Sequence, residues 1–252
     1  MDDDKKQSGG ANPTPIAIAA FSLLLAVAVA GKADVSRADV LDLVRLDGSG
    51  ESAELQVADA ATVGRLATVR VAGRNCDSVI IGSGFHANGV LLTNRHLVVD
   101  AVDAKIDQPV RPVFRSVVRR SAELDLVAID PVLDSELVLA EQDASIGDTV
   151  FLAGHGGGGE TQILEGRVHL LAQGSSYGVA GLALLIDGRT TGGFSGGPVL
   201  NERAEVVGIL QGYEPLLDLT IAIPVSSIRL WLEAGTDAPQ PAPCNQTNTQ
   251  SE

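Results

Sequence analysis

The chain has 252 residues, of which 32 are acidic and 18 basic, leaving a formal net charge of −14 at pH 7. An acidic excess of this size excludes a duplex-binding surface, which needs clustered Lys and Arg to displace counterions from phosphate. The adjacent Arg119 and Arg120 are isolated in sequence and read as a solvated face. The length suffices for one large or two small domains with a buried core.

Residues 1–31 pair a polar start, MDDDKKQSGGANPTP, with an apolar run over residues 16–30 and then GKAD. They are expected to be a signal peptide or a membrane anchor and are excluded from the fold, although Asp2, Asp3 and Asp4 offset Lys5 and Lys6. The segment predicts an exported chain, secreted, periplasmic or held at the cell envelope, that meets a membrane only if this segment stays uncleaved. Residues 32–59 read as a lead-in or stalk, because VSRADVLDLVRL has helical spacing that DGSGES interrupts.

From residue 60 the texture changes to short aliphatic runs between turns: LATVRVAG, SVIIGSGF, GVLLTN, LDLVAID, DTVFLAG, LALLID, GPVL, EVVGIL and LTIAIP. Many short strands at even spacing predict an all-β sandwich or pair of barrels over residues 60–235. VSSIRLWLEAG, with a serine cap region, predicts a closing helix, and residues 236–252 form a Pro/Asn-rich tail. The two cysteines, Cys76 and Cys244, are too few for a zinc knuckle. In an exported chain they suggest a disulfide tying the tail to the body, with two unpaired thiols as the alternative.

The four histidines, His86, His96, His155 and His169, show no metal-ligand spacing, so no metal or other cofactor is expected. His96 follows a strand expected to end at Thr93, where a loop can aim it over a fixed backbone. Asp125 heads the aliphatic run LDLVAID and by itself reads as a strand-end acid. Ser195 stands in TTGGFSGGPVL, residues 190–200, as either a nucleophile on a tight turn or part of a plain glycine-rich bend. On the first reading the N–H groups of Gly193 and Ser195 converge on one point and stabilise an oxyanion. GHGGGGET has the glycine spacing of a phosphate loop but carries Glu160 where Lys is needed, so it reads as a flexible surface loop. Asn245 opens a glycosylation sequon in the tail.

Together GSGF, LLTNRHLV, DLVAID, GGFSGGPVL, VVGIL and TIAIP resemble the chymotrypsin-like (trypsin-like) serine proteases, particularly the bacterial HtrA-type catalytic domain without a PDZ module. The resemblance covers residues 60–235 and includes TVFLAGHGGGGETQILEGRVHLL. It implies two six-stranded antiparallel β-barrels with a short C-terminal helix. His96 and Asp125 would come from the first barrel and Ser195 from the second, forming a catalytic triad that acts on protein or peptide substrates. By resemblance the substrate pocket involves Gln211, Gly212 and Tyr213, and Arg189 either lines its base or faces outward. Two residues depart from the family pattern. Arg95 precedes the histidine where a small residue is usual, and Phe194 precedes the serine where a polar residue is common. An inactive module using the same barrels for binding is therefore the alternative to a protease.

Overall fold

The computed structural model describes residues 59–75, 78–99, 103–107, 112–132, 136–177 and 179–235. The leader, most of the lead-in, Cys76, Cys244 and the tail with Asn245 lie outside these residues, as does the suggested disulfide.

A short helix, α1 (Ala60–Ala67), opens the described chain. The Asp59 carboxylate starts it by accepting the Thr62 N–H at 2.7 Å, taking up one of the donors that a helix N-terminus leaves unpaired. Its buried face, Ala60, Val63 and Gly64, lies against Ala153, Ile163 and Leu200, so the helix packs on the second barrel before the chain enters the first.

The first barrel comprises β1 (Thr68–Asn75), β2 (Ser78–Ala87), β3 (Val90–Thr93), β4 (Asp103–Asp107), β5 (Val113–Arg120) and β6 (Val127–Ile129). It closes in the order β1-β2-β3-β6-β5-β4 with antiparallel pairing throughout. The second comprises β7 (Thr149–Gly154), β8 (Gln162–Gln173), β9 (Leu182–Asp187), β10 (Pro198–Leu200), β11 (Val206–Glu214) and β12 (Leu219–Pro224). It closes as β10-β11-β12-β9-β8-β7, also antiparallel. Closure leaves neither sheet with an unpaired edge.

Each barrel has its own apolar interior, centred on Val71, Leu91 and Ile106 in the first and on Leu152, Leu184 and Ile186 in the second. A third cluster joins them, with Phe85, Leu92 and Leu126 from one barrel meeting Leu185, Ile209 and Ile223 from the other. Burying an aliphatic or aromatic side chain of this size is worth about 1.5–3 kcal/mol. The shared cluster therefore makes the seam between the barrels a core rather than a wet interface.

The closing helix, α2 (Val225–Ala234), buries Val225, Ile228 and Trp231 and ends at Gly235. Pro224, rather than a serine, occupies its N-cap position, with no side-chain cap of its own. Asp143 of the inter-barrel linker supplies the missing acceptor, taking Ser226 N–H at 2.8 Å and Ser226 Oγ–H at 2.7 Å. At the other end Arg119 of β5 stacks 4.6 Å from the Trp231 ring centroid and donates to the Trp231 and Leu232 carbonyls. Arg120 is buried at 5 % exposure and donates to Val98 O at 2.7 Å. The reading of these two arginines as a solvated face is thereby corrected: the carbonyls at two chain turns draw both guanidinium groups inward.

Candidate active site

His96 sits on a single 3-10 turn, Arg95–Val98, that follows β3. Leu97 and Val98 are buried in the first barrel, and Arg120 holds the Val98 carbonyl, so the turn is anchored from below while the imidazole faces out. Asp125 lies at the end of a bend that leads into β6; that strand is only three residues long, so Asp125 precedes it rather than heading it. Ser121 shapes the bend, accepting Leu124 N–H on its hydroxyl and donating its own N–H to Leu126 O.

The two side chains meet. Asp125 Oδ2 accepts from His96 Nδ1 at 2.6 Å, and Asp125 Oδ1 accepts the His96 backbone N–H at 2.8 Å. The carboxylate thus fixes both ring and main chain. Because a carboxylate only accepts, Nδ1 carries the proton in this contact, which leaves the lone pair of a neutral ring on Nε2. The Asp125 side chain is 12 % exposed and that of His96 41 %, so the carboxylate is shielded and the imidazole faces solvent. Arg95, the departure next to the histidine, has a structural role: its guanidinium donates to Ser121 O at 2.7 Å and to Ala122 O at 3.0 Å. It ties the bend that carries Asp125 to the turn that carries His96.

Ser195 stands on the turn between β9 and β10. Phe194 is 2 % exposed and belongs to the second barrel's core, where its ring lies so close to β7 that a Cβ on Gly154 would come within 2.6 Å of it. The second departure therefore anchors the turn by packing instead of by charge. Gly192 O accepts from Gly157 N–H at 2.7 Å and Phe194 O from Gly197 N–H at 2.9 Å. In a planar trans peptide the N–H points away from its carbonyl. The N–H groups of Gly193 and Ser195 therefore face away from these two anchored carbonyls, and neither has an acceptor among the described residues. Gly193 has φ 102°, and a Cβ there would lie 2.1 Å from His155 O, so only glycine fits.

The Ser195 hydroxyl donates to Gln211 O at 3.0 Å. β11 bulges between Leu210 and Gly212, which takes Gln211 out of register with β12. Gln211, Gly212 and Tyr213 line an open cleft of about 410 Å³ together with His96, Asp125 and Tyr177. Arg189 is exposed and does not line this cleft; its guanidinium lies 5.6 Å from the Tyr213 ring centroid, within cation–π range. Tyr213 donates its hydroxyl to Asp218, whose carboxylate pushes the Tyr213 pKa up.

The sequence does not point to Tyr177, and it shows GHGGGGET only as a flexible surface loop. The loop is not merely a surface feature, because Gly157 N–H and His155 O pack directly behind the serine turn. Its glycine density was the available signal, but it pointed equally to a flexible loop. Among the described residues no group of three or more His, Cys, Asp or Glu side chains could hold a metal ion.

The family model for the trypsin-like peptidase domain matches residues 76–209, just over half of the chain. The chain belongs to the trypsin-like peptidase family, and by class it is a serine endopeptidase. Several solved structures share the fold. The active form of the Rv3671c protease from M. tuberculosis superposes with a TM-score of 0.64 at 20% identity, covering 71% of this chain and 85% of that one. The serine endoprotease from Yersinia pestis gives 0.60 at 21% identity, covering 69% and 64%. The HtrA-type protease AlgW with tripeptide gives 0.62 at 18% identity, covering 69% and 62%. No curated protein sequence matches this chain significantly.

Proposed function

We propose that the chain is an exported endopeptidase in which Ser195, His96 and Asp125 cleave peptide bonds through an acyl-enzyme. The observation that carries this reading is the double hold of Asp125 on His96, which leaves Nε2 free to accept a proton. In this reading the Ser195 hydroxyl exchanges its hydrogen bond to the Gln211 carbonyl for one to His96 Nε2. Ser195 Oγ then attacks the peptide carbonyl carbon as its proton passes to His96 Nε2. The carbonyl π electrons move onto oxygen, and the anion is met by the N–H groups of Gly193 and Ser195. His96 gives the proton to the leaving amine nitrogen as the C–N bond breaks, leaving an ester on Ser195. Water repeats the sequence, with His96 taking its proton and returning it to Ser195 Oγ. Asp125 stays ionised and stabilises the imidazolium formed in each half.

Protein or peptide substrates would lie along Gln211, Gly212 and Tyr213, with Arg189 at the far side of the Tyr213 ring. Residues 1–31 support export, and residues 60–235 are proposed as the protease domain, preceded by a stalk over 32–59 and followed by the tail over 236–252.

A fluorophosphonate probe tests the nucleophile. Wild type is expected to be labelled at Ser195, with labelling lost in Ser195→Ala and slowed by at least about a thousandfold in His96→Ala. Folded wild type that takes no label would instead favour the same barrels serving as a binding module.

A further inference from the structure

Ser83 of β2 belongs to the first barrel, yet its hydrogen bonds reach into the second. Its N–H donates to Ser195 O at 2.7 Å, and its hydroxyl donates to Gly193 O at 2.7 Å. The same hydroxyl oxygen accepts the His155 N–H at 2.9 Å, and the Ser83 carbonyl accepts Thr93 Oγ1–H at 2.5 Å. The side chain is fully buried, so no water substitutes for these partners.

We propose that Ser83 is a positioning residue for the oxyanion hole, a role that rests on the reading of the Gly193 and Ser195 N–H groups as that hole. The orientation of the Gly193 N–H depends on the peptide linking it to Gly192. That peptide is held at one end by Gly157 N–H on Gly192 O, and Gly157 stands two residues after His155. The hydroxyl of Ser83 joins both sides of this arrangement, clamping Gly193 O and fixing the start of the loop that carries Gly157. Removing it orphans a buried carbonyl and a buried N–H together. A glycine at φ 102° can reorient at little steric cost, so the peptide between Gly192 and Gly193 is then free to turn its carbonyl toward the cleft. Because the clamp spans both barrels, it makes oxyanion stabilisation depend on their correct docking.

The test compares Ser83→Ala and Ser83→Cys with wild type in the full chain. Cysteine fills the same space but donates poorly, and it keeps the proposal testable if the alanine variant fails to fold. The limiting rate of fluorophosphonate labelling at Ser195 is expected to fall at least about tenfold, a fraction of what loss of an oxyanion donor costs. The probe concentration giving half that rate is expected to stay near wild type, the melting temperature is expected to fall because two buried groups lose their partner, and a crystal structure of either variant is expected to show Gly192 O turned away from Gly157. Labelling within about twofold of wild type, or an unmoved Gly192 carbonyl, would overturn the proposal. If wild type itself takes no label the protease reading fails, and the Gly192 carbonyl in the variant crystals still decides the role of Ser83.

Discussion

Arg95 and His86 are charged or chargeable groups that the fold uses away from the reacting atoms, and each makes a different demand on its surroundings. Arg95 spends its guanidinium on two main-chain carbonyls, at Ser121 and Ala122, so its substitution acts on geometry. Arg95→Ala is expected to slow fluorophosphonate labelling by about tenfold while costing roughly 1–2 kcal/mol in stability. Labelling at the wild-type rate would show that the Asp125 bend holds itself. His86 is 2 % exposed and accepts the Val132 N–H on Nε2 at 3.1 Å, and burial pushes its pKa down from 6.5 to about 4. Between those values the unfolded chain binds a proton that the folded chain refuses. The stabilising contribution of neutral His86 is therefore complete above the unfolded value and is lost as pH falls through the window to the folded one. Its full size is about 3 kcal/mol. Urea unfolding of wild type from pH 7.5 to 4 is expected to show this loss, and His86→Gln a shallower one. Equal slopes would remove His86 as the cause.

At the scale of elements, α2 depends on residues far from it in sequence. Asp143 caps its first turn through two hydrogen bonds, while Arg119 closes its last. Asp143→Ala is expected to cost about 1–2 kcal/mol, seen as a fall in melting temperature of roughly 2–8 °C. An unchanged melting temperature would mean that water satisfies the Ser226 N–H equally well. The sequence shows VSSIRLWLEAG as a helix from its apolar spacing, but the capping acid comes from the linker and has no local signature. The same distinction applies to the strands. Runs such as LALLID and LTIAIP stand out because β9 and β12 are buried on nearly every residue. β4, DAKID, and β5, VFRSVVRR, do not: charged residues interrupt the apolar ones in β4, and β5 exposes Phe114, Ser116 and Val118 while Arg115 and Arg119 are half-buried and Arg120 is buried. The helix α1 was hidden for another reason: AATVGRLA contains a β-branched pair and a glycine, and packing against the second barrel decides its state over propensity.

For the molecule as a whole, the order of His96, Asp125 and Ser195 along the chain could be read before any fold was known, because each lies beside a recognisable run. Their supports could not. Ser83 and Gly157 reach the serine turn only once two barrels close and dock, and the shared cluster of Phe85, Leu92, Leu185 and Ile209 sets that docking. The two departures from the family pattern likewise find their explanation only in three dimensions, as a loop tie and a core anchor.

On the proposed reading this chain cuts peptide bonds through Ser195. This is tested most directly by incubating the folded protein with a diverse peptide library and reading new termini by mass spectrometry, beside Ser195→Ala. Wild type is expected to cleave at a restricted set of bonds and the variant at none. No cleavage by folded wild type, or the same cuts made by Ser195→Ala, would contradict it.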